Sequence, residues 1–302
     1  MEDMITGLCP QCGHTLHIPA ELASFSCMYC GTRLTKEQLA AEPPAAQEAD
    51  EDRAAYYDRA VSRLGWCIKN FGGYQKKIMR DVFFEAFETY ETGCAPVIQE
   101  LARGVAPERQ TQLLGRAAAA MLDELEAGWQ KKGDMEDEKI VLAIFFVPMV
   151  RKQQLPISEE FVTILQKQWV ERYPKSPFYL GDYESISGGF RKKFLGLCFI
   201  TTAVCQELGK PDDCEELTAF RAFRDGYLRS QPDGEALIRE YYNIAPGIVT
   251  CINTCSDRHA SYARIREEYL APCYQDLLAG RNESCKARYV RMVRALEREY
   301  LS

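Results

Sequence analysis

The sequence has no apolar run long enough to cross a bilayer. Its longest uncharged apolar stretches cover residues 194–205 and 140–150, whereas a membrane-spanning helix needs about 20 such residues. A stretch this apolar, without a polar face, is typical of an element buried on all sides in a folded core. We therefore predict a protein with no membrane span, organised around the stretch at 194–205.

An excess of positive charge is also missing. The chain has 37 Lys and Arg against 44 Asp and Glu, which gives a net charge of −7. A sequence-independent nucleic-acid binder needs a basic face to neutralise phosphates. The apolar content of 46% and charged content of 27% are those of a folded, water-soluble protein. We expect a protein partner rather than nucleic acid, and the sequence specifies no small-molecule ligand.

Common catalytic motifs are missing as well. The sequence contains no Ser-His-Asp pattern, P-loop or dinucleotide fingerprint.

The first six residues have neither the basic region nor the apolar segment of a secretory signal. We therefore expect a cytoplasmic location, where the 13 cysteines are metal ligands or free thiols rather than disulfides. No catalytic or cofactor-binding residue is predicted.

Two Cys-x-x-Cys motifs lie near the start of the chain. Cys9 and Cys12 form the first and Cys27 and Cys30 the second, and a glycine follows each motif. Two such turns supply four thiolates, which is the tetrahedral set that Zn²⁺ prefers. A module of about 35 residues is too small to hold a core alone, so the metal would supply the folding energy. A redox pair and an iron–sulfur site are the competing interpretations.

The sequence at residues 7–34 resembles the zinc-ribbon family, which implies a small β module around one Zn²⁺. Residues 14–19 and 24–27 are predicted to be short strands. His14 and His17 could also bind the metal, but the four thiolates already fill a tetrahedral shell, so we interpret both histidines as strand residues. Arg33 is the one basic residue among the first 35. Without a basic patch, a structural or protein-docking role is favoured over nucleic-acid binding.

An acidic, proline-containing segment follows the ribbon. One or two helical turns are predicted at residues 35–40, and residues 41–52 combine paired prolines and five acids with no large apolar side chain. Such a composition is typical of a solvated tether. We therefore divide the chain into a zinc ribbon (1–35), a linker (36–55), a helical domain (56–194) and a helical C-terminal region (195–302) that packs on the preceding helices.

Apolar residues recur at helical spacing from residue 53 to the end of the chain. The predicted fold class is therefore mainly α, with a multi-helix body of about ten helices and a small N-terminal β ribbon. The aromatic- and glycine-rich residues 173–190 are predicted to be an ordered, non-helical connection, with a binding loop as the alternative. Other predicted boundaries are helix ends at Gly72, Gly93, Gly133 and Pro246, a kink at Pro148, a helix start at Ser158 and a last helix over 283–301.

Three segments, at residues 197–205, 217–225 and 238–246, resemble the bacterial CFI-box C-terminal domain. The name refers to the Cys-Phe-Ile motif, which is Cys198, Phe199 and Ile200 here. The resemblance spans about residues 195–250 and implies an interaction or sorting module. An extension of about fifty residues follows it, which departs from the shorter forms of the family.

Two kinds of chemistry remain as alternatives. Cys251, Cys255 and His259 would share one stripe of a continuous helix and could bind a second metal. Cys198, Cys205 or Cys255 could be a nucleophile activated by His259. Apolar surroundings would raise the pKa of Cys198 and leave it inert.

The leading functional prediction is a zinc-binding, non-enzymatic adaptor with an α-helical body. The alternative is a cysteine-dependent enzyme or thiol/metal sensor that uses Cys198/Cys205 or Cys251/Cys255/His259. The predicted metal ligands are Cys9, Cys12, Cys27 and Cys30.

Overall fold

A computed structural model describes residues 4–11, 15–39, 50–191, 198–254 and 257–301. It confirms the mainly α fold with a small β region at the N-terminus. The chain divides into two compact units, Met1–Asp52 and Arg53–Ser302, and each has a hydrophobic core of its own. We call them the N-terminal module and the helical body.

The N-terminal module consists of two β-hairpins. In the first, β1 (Met4–Leu8) pairs antiparallel with β2 (Thr15–Pro19); in the second, β3 (Ser24–Ser26) pairs with β4 (Arg33–Thr35). Successive side chains of a strand point to opposite faces, and β2 accordingly buries Leu16 and Ile18 while His17 is exposed. The strands predicted at 14–19 and 24–27 are confirmed as β2 and β3, whereas β1 and β4 were not predicted.

A short 3₁₀ turn, Lys36–Gln38, closes the described part of the module. The backbone N–H of Thr35 donates to Gln38 Oε1 at 2.9 Å, as in a capping box. This turn lies within the helical turns predicted at 35–40. Residues 40–49 of the predicted linker are outside the described residues, and the last part of that linker already belongs to the first helix.

The described residues of the body contain fourteen α-helical segments joined by short turns. They are α1 (Asp50–Leu64), α2 (Trp66–Lys69), α3 (Phe83–Gly104), α4 (Gln110–Gly128), α5 (Lys132–Val141), α6 (Val147–Lys152), α7 (Ser158–Arg172), α8 (Tyr183–Arg191), α9 (Phe199–Glu207), α10 (Glu215–Ala222), α11 (Gly234–Thr254), α12 (Arg258–Ile265), α13 (Ala271–Leu278) and α14 (Asn282–Tyr300). None of these helices combines the length and the apolar composition that a bilayer crossing requires, as far as the described residues go.

The most deeply buried segment is the apolar run at residues 140–150, which spans the end of α5 and most of α6. Every residue from Val141 to Val150 is buried. Phe145 contacts the rings of Tyr74, Phe83 and Tyr90 with centroid distances of 5.1–5.7 Å. The prediction of a fully buried run is therefore confirmed for 140–150.

The stretch at 194–205 is buried less completely than predicted. Residues 192–197 lie outside the described residues. In α9, Ile200, Val204 and Cys205 are buried, but Thr202 and Ala203 are half-buried and Gln206 is exposed. The helix therefore has one core face and one open face, and the centre of the body is the run at 140–150.

Two prolines are accommodated by wider helical turns. Leu142–Phe146 and Arg266–Leu270 are π-helical, and each segment ends two positions before a proline, Pro148 and Pro272. Proline lacks the N–H that an α-helix needs and its ring collides with the preceding turn, and a π turn is one way to absorb this conflict. The irregularity predicted at Pro148 thus takes the form of a π turn.

Two predicted helix ends are wrong because burial continues beyond them. Helix α3 runs through Gly93 to Gly104, and α11 runs through Pro246 to Thr254. In α11, Ile248, Cys251 and Ile252 beyond the proline are buried. A glycine inside a helix costs about 1 kcal/mol relative to alanine, whereas burying one large apolar side chain contributes about 1.5–3 kcal/mol.

The prediction of a non-helical connection over 173–190 is also wrong in its second half. Residues 183–191 form α8, and Asp182 caps its first turn by accepting from the Ser185 N–H at 2.8 Å. Phe190 is buried and stacks on Phe83 with a centroid distance of 4.2 Å. The cap and this packing outweigh the poor helix propensity of the two adjacent glycines in α8.

Candidate metal centre and body cysteines

The two hairpins of the N-terminal module bring cysteines together at their ends. Cys9 directly follows β1, and Cys27 directly follows β3. The turn after Cys27 is fixed by two backbone bonds, from the Gly31 N–H to the Cys27 carbonyl and from the Cys27 N–H to the Thr32 carbonyl, both 2.8 Å. Gly31 has a φ of +75°, a left-handed conformation that glycine adopts without strain. This turn returns the chain so that Cys30 comes back toward Cys9.

Three thiols converge as a result. The Sγ atoms of Cys9, Cys27 and Cys30 all lie within 4.8 Å of one another, and those of Cys9 and Cys30 are 3.7 Å apart. A Zn–S distance of about 2.3 Å places two sulfurs of a tetrahedron about 3.8 Å apart. The Cys9–Cys30 separation is therefore that of two ligands of one ion, and it is far longer than a disulfide bond of about 2.05 Å.

The surroundings of the three thiols also fit a bound metal. Cys9 and Cys27 are buried and belong to the module's core with Leu16, Ile18 and Leu34, while Cys30 is exposed. So small a core gives little folding energy, and a tetrahedral thiolate site would supply the remainder. Among the described residues, these form the one group of three or more Cys, His, Asp or Glu side chains with ligand atoms close enough to share an ion.

The other predicted module residues stand as follows. Cys12, the fourth predicted ligand, and His14 lie outside the described residues. His17 is exposed on the face of β2 opposite Leu16 and Ile18, and it does not belong to the thiol group. The structure thus brings together three of the four predicted ligands and leaves His17 as a strand residue.

In the helical body, the Cys-Phe-Ile stretch lies at a buried helix start. The Ile200 N–H, in the first turn of α9, donates to the Tyr241 hydroxyl at 3.0 Å. The hydroxyls of Thr201 and Tyr289 are 3.2 Å apart, and the Tyr289 hydroxyl donates to that of Tyr241 at 3.4 Å. The first N–H groups of a helix have no partner within the helix. Tyr241 of α11 accepts one of them, and Tyr289 of α14 donates to the Tyr241 hydroxyl.

Cys198 precedes α9 and contacts a buried arginine. Arg224 Nη1 donates to Cys198 Sγ at 3.6 Å and to the Tyr242 hydroxyl at 3.0 Å. The Arg224 charge is balanced by Asp225, which accepts from Nε at 2.8 Å and from Nη2 at 2.6 Å. Burial raises the pKa of the Cys198 thiol although Arg224 acts in the opposite direction, which agrees with the predicted inertness of this cysteine.

The hydroxyls of the two threonines in α9 have different environments. Thr201 is buried, and its hydroxyl lies 3.2 Å from that of Tyr289. Thr202 Oγ1 is buried without a hydrogen-bond partner among the described residues.

Thr202 lines a cleft of about 600 Å³ together with Gly188, Gln206, Asn253 and Arg258. A cleft of this volume is in the range of small-molecule sites. No sequence motif signals it, because its walls come from four separate helices.

The predicted stripe of Cys251, Cys255 and His259 does not form. Cys251 is fully buried in α11, and its Sγ lies 3.6 Å from the Tyr300 carbonyl oxygen. His259 lies on α12, where its side chain is 79% exposed and its Nδ1 is 3.3 Å from Glu207 Oε1. Asp257, which lies between α11 and α12, is in a turn, so the described residues do not form the continuous helix that the stripe required. Cys255 lies outside the described residues.

Cys205 has a neighbouring thiol that was not predicted from the sequence. Its Sγ lies 3.8 Å from that of Cys214, at the junction of α9 and α10. Burial is the main cause that raises the pKa of Cys205 to about 12, with the neighbouring Cys214 as the next cause. No sequence motif signals this pair, because the turn that joins the two helices determines the approach.

Comparison of the chain with protein-family models, with curated proteins and with solved structures finds no match in any of the three. The zinc-ribbon and CFI-box resemblances therefore stay predictions.

Proposed function

We propose that this protein is a zinc-binding, non-enzymatic adaptor of the cytoplasm, which uses its N-terminal module and helical body to engage protein partners. The observation that carries the proposal is the convergence of Cys9, Cys27 and Cys30 at the ends of two hairpins. Cys12, three positions after Cys9 in the sequence, is the proposed fourth ligand. In this proposal the module is a zinc ribbon and residues 195–250 are a CFI-box domain.

The donor set favours zinc and a structural role for it. Thiolates are soft ligands that select Zn²⁺, Cu⁺ or iron–sulfur clusters over Mg²⁺ and Ca²⁺. Four thiolates fill a tetrahedral shell and leave no position for water or substrate, which is typical of structural rather than catalytic zinc. The ion would hold the two hairpins together and so fix the turn at residues 27–32.

That turn presents two large apolar side chains at the surface. Met28 is 80% exposed and Tyr29 57% exposed, and both lie between the ligands Cys27 and Cys30. Aromatic residues and methionine are enriched in protein–protein interfaces, and an anchor held by a rigid turn loses little entropy on binding. We therefore place the docking site of the module at this turn and expect a partner with an apolar pocket.

Metal counting tests the first half of the proposal. We expect one Zn²⁺ per chain in the purified protein, measured by elemental analysis together with the protein concentration. Cys27→Ser should lose most of this zinc because three thiolates bind far more weakly than four. Cys214→Ser, which removes a half-buried thiol of the body, should keep it. Equal zinc content in both variants would show that the ion is bound elsewhere.

Partner capture tests the second half. The full chain is used as bait beside the double variant Met28→Ser/Tyr29→Ser and beside Leu22→Ser, which removes an apolar side chain that is 44% exposed elsewhere in the module. A partner of the proposed kind should be lost with the double variant and after zinc chelation, and kept with Leu22→Ser. A partner set that is unchanged in the double variant would rule out this docking site.

A further inference from the structure

The helical body places six cysteines in three pairs. Cys94 Sγ donates to the Cys67 carbonyl oxygen at 4.0 Å and Cys273 Sγ donates to the Cys285 carbonyl oxygen at 3.9 Å, and the Sγ atoms of Cys205 and Cys214 are 3.8 Å apart. All six thiols are free. Neighbouring thiols can be oxidised to a disulfide if an oxidant reaches one of them and if the two sulfurs can approach to about 2.05 Å.

Access to solvent separates one pair from the other two. Cys67, Cys94, Cys273 and Cys285 are fully buried, each with 0% exposure. An oxidant reaches such sulfurs only through local opening of the fold. Cys205 is 3% exposed, but its neighbour Cys214 is half-buried at the surface.

From this contrast we infer that Cys205 and Cys214 form a reversible redox site, in which a peroxide oxidises the pair to a disulfide. The site is independent of the zinc module and of the proposed adaptor role. Cys214 is the thiol that meets the peroxide, and Cys205 is the thiol that resolves the product. Burial and its high pKa keep Cys205 protonated until that second step.

The proposed chemistry balances in two steps. Cys214 sulfur attacks one oxygen of hydrogen peroxide and the O–O bond breaks, so that Cys214 becomes a sulfenic acid and one water leaves. Cys205 sulfur then attacks Cys214 sulfur, the S–O bond breaks, and the departing hydroxide takes the Cys205 thiol proton and leaves as the second water. Two electrons pass from the two sulfurs to one peroxide.

The connection between the two cysteines can accommodate the shorter distance. Residues 208–214 form a turn between α9 and α10. Gly209 adopts a left-handed φ of +67°, and the Lys210 N–H donates to the Cys205 carbonyl at 2.9 Å. The turn therefore already folds back on Cys205, and the sulfurs need to move together by about 1.7 Å to reach bonding distance.

Mass mapping of the oxidised full chain tests the inference. The zinc-loaded protein is treated with hydrogen peroxide for increasing times, blocked with an alkylating agent and cleaved after glutamate. Cleavage after Glu207 separates Cys205 from Cys214, so a disulfide appears as two linked peptides. We expect this link to form at least about tenfold faster than a link between Cys67 and Cys94, because the buried pair must first open.

Two further measurements make the result decisive. The link should disappear after treatment with dithiothreitol, and Cys214→Ser should leave Cys205 unmodified over the same time because the accessible thiol is gone. Irreversible oxidation of Cys214 to a sulfinic acid without any link would overturn the inference. A link between Cys205 and Cys214 that forms no faster than one between Cys67 and Cys94 would do the same.

Discussion

At Gly247, α11 lies very close to the main chain of another segment of the body. A Cβ added to Gly247 would come 1.7 Å from the carbonyl oxygen of Ile78 and 3.0 Å from its carbonyl carbon. Two hydrogen bonds fix the same contact: the N–H groups of Arg80 and Asp81 donate to the main-chain oxygen and to Oδ1 of Asn243, at 2.9 and 3.0 Å. Gly247→Ala therefore requires the two backbones to separate.

The size of the effect follows from this geometry. Carbon and carbonyl oxygen approach to about 3.3 Å at closest, so the segments must move apart by about 1.6 Å. Overpacking costs about 1–3 kcal/mol, and loss of the two hydrogen bonds to Asn243 adds about 2 kcal/mol. The better helix propensity of alanine offsets about 1 kcal/mol. We expect a net loss of about 2–4 kcal/mol of unfolding free energy.

Urea denaturation followed by circular dichroism measures this loss, and a thermal scan should show a melting temperature lower by about 4–16 °C. Gly226→Ala is the matched control, because a Cβ there meets nothing within 4 Å. That control should leave the stability unchanged or raise it by up to about 1 kcal/mol. A Gly247→Ala protein as stable as the wild type would refute the argument from close backbone approach.

Three further predictions concern the α9 cap, the α8 cap and the metal. Tyr241→Phe removes the acceptor of the buried Ile200 N–H and should cost about 1–3 kcal/mol in urea denaturation, whereas Tyr179→Phe, at a site 54% exposed, should change stability by less than about 0.5 kcal/mol. The Ser185 N–H and hydroxyl lower the pKa of Asp182, so this carboxylate stabilises the fold fully above its unfolded-state pKa and loses that contribution as the pH falls through its folded-state pKa. The difference in unfolding free energy between wild type and Asp182→Asn should therefore shrink on acidification. A difference that does not depend on pH would contradict the assignment. Zinc chelation should leave the far-ultraviolet helical signal of the body intact, because the body has its own hydrophobic core, and a large loss of helix would contradict this.

Local sequence patterns predict much of the fold. The final helix was expected at 283–301 and is observed as Asn282–Tyr300, and the helix start expected at Ser158 is the first residue of α7. In both cases apolar residues repeat at helical spacing next to clear boundary residues, so the information lies within the segment itself. The paired Cys-x-x-Cys motifs can also be recognised from the local sequence, because the turn within each motif sets the spacing of its two cysteines.

Patterns fail where a neighbouring element decides the outcome. Gly93 and Pro246 end helices by local propensity, yet both lie inside helices because the residues beyond them are buried. The apolar stretch at 194–205 was expected to be enclosed on all sides, but one face of α9 lines a cleft. Its composition alone does not show which face the surrounding helices leave uncovered.

The mainly α class, the small β module and the cysteines from which a zinc site is proposed can be predicted from the chain alone, because helix periodicity and ligand spacing are local properties. Three contacts or placements are visible only in the folded protein: Tyr241 caps α9, Cys205 lies against Cys214, and Cys251 and His259 lie on separate helices. These contacts depend on the relative placement of packed helices, and side-chain burial rather than local propensity sets that placement.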